Sequence, residues 1–247
     1  MNNSKRYSSR LHLPTRLLFF MGVSLFGSAT AIVLALNRSM AADSLVWRRP
    51  LVGSLFILIC AVGITTVFVP EKCSGPAHSR QREKSAHAAV DTTSIEKAPI
   101  SFKGHHLDCG RFASHTITSG NNVFCAACLG LLLGAFAAIV SAILYFFVHW
   151  EISEVSFWAV AVGQIGIILG LAQLKFKSYA RSTANAIFVL ASFLTLTGID
   201  NLLSSIYADL YVLALIVFWL FTRISMSQWD HSRICRECNL PCERKER

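Results

Sequence analysis

The chain alternates between long runs without charge and short polar stretches. Residues 17–36, 51–69, 123–148, 155–174 and 182–199 contain no charged side chain, and a sixth run, 210–226, contains only Arg223 near its end. About 20 residues at a rise of about 1.5 Å cross a hydrocarbon layer about 30 Å thick. A helix satisfies its own backbone polar groups there, whereas an isolated extended strand does not. The pattern therefore predicts an all-α integral membrane protein with six transmembrane helices.

The polar stretches divide these runs. Residues 1–69 hold an N-terminal two-helix hairpin, and 70–103 read as a flexible polar cytoplasmic linker, poor in large apolar residues. Residues 104–226 hold a Cys/His segment followed by four helices with short connections, as in an antiparallel bundle. Residues 227–247 form a Cys-rich cytoplasmic tail. The first run has a basic start, and Ser39-Met40-Ala41 resembles a cleavage site. Its apolar stretch nevertheless exceeds the roughly 7–15 residues of a signal core, so helix 1 is read as retained.

Composition agrees with the membrane reading: 53% of the 247 residues are hydrophobic and 15% charged, against about 25% charged in soluble domains. The net charge of +9 suggests nucleic acid until its distribution is considered. With the N-terminus placed in the cytoplasm, 20 Lys and Arg fall inside and three outside (Arg38, Arg48 and Arg49). That is a positive-inside bias. It predicts a multi-pass protein of the cell membrane with both termini cytoplasmic, the lipid bilayer as its partner and no nucleic acid. Protein partners, a second copy of the chain included, are left open.

The candidate chemistry lies where helix 3 begins. GHHLDCGRFASHTITSGNNVFCAACLG places His105, His106, Cys109 and His115 ahead of a Cys-x-x-Cys pair, Cys125 and Cys128. Cytosolic thiols are kept reduced, so a cluster there points to metal or redox chemistry rather than structural disulfides. The positive end of a helix favours thiolate. Zinc takes four ligands: Cys125 and Cys128 supply two, and Cys109 with one of the three His can supply the rest. A turn at Ser119-Gly120-Asn121-Asn122 lets the chain fold back. A second set, His231, Cys235, Cys238 and Cys242, follows helix 6. It can close a site alone or share ligands with the first set. Its spacing is not that of a ferredoxin run, so iron or an iron–sulfur cluster ranks behind zinc.

The stretch G-H-H-x-D-C-G-R-F-x-x-H, then F-C-x-x-C-x-G-L-L-L-G, resembles an uncharacterised family of prokaryotic, mainly archaeal, predicted integral-membrane proteins. In that family a His/Cys segment precedes a Cys-x-x-Cys-x-Gly that opens a transmembrane helix. The resemblance covers about 35 residues and implies a location and a metal site, not an activity. It implies His105, His106, Cys109, His115, Cys125 and Cys128 as ligands, with Gly130 and Gly134 as packing positions. Where such motifs carry a basic residue or Gly between the cysteines and Thr after them, this chain has Ala126, Ala127 and Leu129. That favours a buried structural site over an exposed catalytic loop.

Three functions follow. The first is a non-enzymatic membrane protein with a cytoplasmic-face zinc site. The second is a membrane thiol–disulfide oxidoreductase using Cys125 and Cys128, which the charge bias disfavours. The third is a metal-ion or small-solute transporter, disfavoured because the runs show no row of polar residues and Asp200 as the one acid. Gly130, Gly134 and Ala138 in helix 3 and Gly163, Gly166 and Gly170 in helix 4 are read as helix-packing positions. Gln164 and Gln173 are expected to bond between helices, Trp150, Trp158 and Trp229 to anchor at interfaces, and Cys60 to act as a small hydrophobe.

Overall fold

A computed structural model describes residues 14–37, 45–68, 102–103, 106–107, 115–119, 122–150 and 155–236. Six helices dominate it: α1 (Thr15–Leu36), α2 (Arg48–Phe68), α3 (Ala126–Phe146), α4 (Ser156–Leu171), α5 (Ser178–Leu203) and α6 (Ile206–Arg236). All six are long and apolar enough to cross a membrane, α4 when its closing 3₁₀ turn, Ala172–Lys175, is included. The protein is an all-α, multi-pass membrane bundle, as the charge-free runs predict. Large apolar side chains such as Phe26, Leu133, Trp158 and Phe221 stand exposed on its outer surface, where lipid can cover them.

Helix α5 occupies the centre. It packs against α3, α4 and α6, and also meets α1. Helix α1 lies against α6, and α2 lies against α3 with a smaller contact to α6. The first two helices thus dock separately on the others, and one hydrophobic core runs through all six. Small residues explain the closeness. A Cβ on Gly134 would lie 2.8 Å from the backbone of Ala186, and one on Gly170 would lie 2.5 Å from Phe188. Gly130 faces the Ser182 backbone, and Gly163 faces Ala191 and Thr195. These glycines let α3 and α4 approach α5 at the distance that interhelical packing in lipid requires.

Two features depart from the apolar runs. Helix α6 does not stop near residue 226 but continues to Arg236. His231 and Cys235 are therefore helical residues rather than members of a loose tail. Between the described parts of the Cys/His segment, two short antiparallel pairs form: β1 (Phe102–Lys103) with β2 (His106–Leu107), and β3 (Thr116–Ser119) with β4 (Asn122–Cys125). Ser119 pairs with Asn122 and Thr116 with Cys125. The chain folds back where the turn residues predict, and β4 runs directly into α3.

Candidate functional site

The β3–β4 hairpin brings His115, the residue before β3, to the start of α3. Cys125 is the N-cap of α3, with extended backbone (φ −70°, ψ 121°), and Cys128 lies in the first turn. Both are partly exposed, and neither is in a disulfide. The pair stands at the positive end of a 21-residue helix, where unsatisfied N–H groups favour thiolate. The buried guanidinium of Arg223 from α6 lies within electrostatic reach of both sulfurs.

Around this pair the other helices supply a polar cluster. Arg181, in the first turn of α5, is only 2% exposed. Its Nη1 lies 2.7 Å from Nδ1 and 3.0 Å from Nε2 of His115, and its Nη2 donates to Asp230 Oδ2 at 3.2 Å. His115 Nε2 is 3.6 Å from the same carboxylate oxygen. The His115 ring also neighbours that of His231, centroid to centroid 5.5 Å. Arg223 donates Nε and Nη2 to Asn185 Oδ1, at 2.8 and 2.5 Å, and Gln173 Nε2 reaches the Arg223 carbonyl at 3.5 Å. Two buried arginines thus sit behind two thiols and two imidazoles.

The cluster joins residues from both sequence sets: His115, Cys125 and Cys128 from the first and His231 from the second. His105, Cys109, Cys238 and Cys242 lie outside the described residues, and His106 and Cys235 are described in backbone only. Among the described residues, no group of three or more His, Cys, Asp or Glu side chains is arranged to hold a metal ion. At His115 the Arg181 guanidinium, which can only donate, lies against both ring nitrogens.

A second buried cluster closes the opposite end of the bundle. Arg48, which opens α2, is 4% exposed, and Asp200 and Asp209 are 0% exposed. Arg48 Nη1 lies 2.7 Å from Asp200 Oδ1 and 2.6 Å from Asp209 Oδ2. Tyr145 donates its hydroxyl to Asp200 Oδ2 at 2.8 Å, and Arg49 Nε approaches that oxygen at 3.4 Å. Asp200 is therefore not the one acid of the interior, since Asp209 is buried beside it.

The expectation that the helices lack a row of polar residues also fails. Helix α5 alone buries Arg181, Ser182, Asn185, Ser192, Thr195, Thr197 and Asp200. Most of its hydroxyls bond back to their own helix: Ser192 to Phe188 O, Thr195 to Ala191 O and Thr197 to Phe193 O. They escape notice in the sequence because small hydroxyl residues do not interrupt an apolar run. The glutamines act as expected: Gln164 Nε2 meets Thr195 Oγ1 across α4 and α5 at 3.3 Å. Cys60 is buried in the core. Sequence reading missed Arg181, Asp230, Asp209 and Tyr145. The available signal was the two-residue connection from α5 to α6, which sets Asp200 and Asp209 about one turn to either side of it.

Compared with family models, curated proteins and solved structures, the chain matches none.

Proposed function

We propose that this chain is a cell-membrane protein with both termini in the cytoplasm that binds zinc at its cysteine end. The ion holds the Cys/His segment against the bundle and no reaction is catalysed. The 20-to-3 distribution of basic residues supports the orientation. The observation that carries the metal reading is the Cys125–Cys128 pair at the mouth of α3, on the same end as His231. Thiolate and imidazole suit zinc, which takes four such ligands. Cys125 and Cys128 supply two. The others come from His231 and from His105, His106, Cys109, Cys235, Cys238 and Cys242; His115 joins only where Arg181 releases it. Chelation should loosen the segment ahead of α3, so limited proteolysis there, slow with zinc and fast after chelation, tests the reading. Equal cleavage in both states contradicts it.

One observation favours a second reading. Both cysteines are outside any disulfide and stand at the N-terminus of α3, a position that favours thiolate and so also suits thiol–disulfide exchange. The step would convert the two thiols to a disulfide and deliver two electrons and two protons to a quinone. Quinone reduction by the purified chain, lost in Cys125→Ser, would support it.

A further inference from the structure

The charged cluster at the end away from the cysteines is more than an ion pair, because its charges do not balance within the buried region. Two carboxylates, Asp200 and Asp209, are wholly buried, and one guanidinium, Arg48, is buried with them. A single nitrogen of Arg48 lies 2.7 Å from Asp200 Oδ1 and 2.6 Å from Asp209 Oδ2, which sets the two carboxyl groups side by side. Arg49 is the second cation, but its side chain is 23% exposed, so water screens it, and of the two acids it approaches only Asp200 among the described residues.

Each acid accepts one hydrogen bond, Asp200 Oδ2 from Tyr145 and Asp209 Oδ2 from Arg48, and Asp200 also meets Arg48 and Arg49 as ion pairs. The Oδ1 of both acids is buried without a hydrogen-bond partner among the described residues. A buried carboxylate oxygen with no donor is expensive, and two anions side by side in a low dielectric resist joint ionisation. A proton placed between the two acids relieves both problems. It removes one negative charge and turns the repulsive contact into an O–H···O⁻ bond.

We propose that Asp200 and Asp209 form a membrane-buried proton-binding site in which one proton is shared between the two carboxyl groups, with Arg48 as the fixed counter-ion. The step is uptake of one proton by the doubly ionised pair to give one carboxylic acid and one carboxylate; no other bond changes. Among the described residues, the charged and titratable groups facing the pair are Arg48 and Arg49 from α2 and Tyr145 from α3. The residue after Asp200, Asn201, donates its Nδ2 to Ser156 Oγ of α4 at 2.6 Å. Because the acids sit on α5 and α6 and the counter-ion on α2, the proton changes the charge that ties three helices together. The site is independent of the cysteine end.

Infrared spectroscopy of the full-length chain in lipid nanodiscs tests the proposal through the carbonyl stretch of protonated carboxylic acids. The native chain should show one such band at neutral pH, shifted in D₂O, and lose it as the pH is raised. Asp200→Asn and Asp209→Asn should each abolish it alone, since either leaves one carboxylate paired with Arg48. Absence of the band from the native chain at neutral pH would overturn the proposal and leave a static ion pair. So would its persistence in both Asn variants. The native titration needs no variant to fold, so it decides the matter even where a substitution destroys the bundle.

Discussion

The rings of His115 and His231 lie 5.5 Å apart, although one precedes α3 and the other follows the apolar part of α6. Two features bring them together. The β3–β4 hairpin carries His115 to the α3 N-terminus, and α6 continues past its apolar stretch as helix. Asp230 and Arg181 fasten the contact. The Cys/His segment is thus joined to the last helix of the bundle before any metal is considered.

Asn185 provides the acceptor for the buried guanidinium of Arg223. Hydrogen bonds to charged groups contribute about 1.5–3 kcal/mol. Asn185→Ala should therefore destabilise the bundle by about 2 kcal/mol, whereas Asn185→Asp, which keeps the acceptor and adds an opposite charge, should be tolerated. Thermal unfolding in detergent of the two variants beside the native chain checks the ordering. Equal loss in both would mean that packing, not the acceptor, matters at this position.

Gly130 faces the backbone of Ser182, which cannot rotate away, whereas a Cβ at Gly22 would meet nothing within 4 Å. Gly130→Ala should separate α3 from α5 and cost about 1–3 kcal/mol. Gly22→Ala should be neutral or slightly stabilising. Unfolding midpoints of these two single variants make the comparison, and a tolerated Gly130→Ala would show that the helices are less closely apposed.

Arg48 contacts both buried acids. Removing one member of a buried charge cluster strands the others, typically at about 3–5 kcal/mol. Arg48→Leu should be strongly destabilising, and Asp209→Asn added to it should recover part of the loss. A double-mutant cycle measures the coupling; strict additivity would disconnect Arg48 from Asp209.

The helices were legible because lipid imposes a simple criterion, about 20 residues without charge. That criterion follows the bilayer and not the helix. It therefore ends α6 near Met226, although the helix continues through Asp230 and His231 to Arg236, where Arg181 and His115 meet it. The packing glycines were legible from their spacing. Arg181 was not: it sits among Lys175 and Lys177 and reads as a loop cation, yet it opens α5 and turns inward to His115. Charge counting assigns such residues to a side of the membrane and is blind to partners brought by other helices. Arg48 and Asp209 escaped for the same reason. Of the cysteine end, the sequence showed which residue types gather and the structure adds the arginines behind them.

The central claim is zinc at the cysteine end, and metal content tests it most directly. The full-length chain, purified without chelator, should carry about one or two zinc per molecule by elemental mass spectrometry. Cys125→Ser/Cys128→Ser should lower that by about one, with the variant still folded by circular dichroism. A native chain without metal, holding fewer titratable thiols than its eight cysteines, would contradict the claim and put disulfide chemistry in its place.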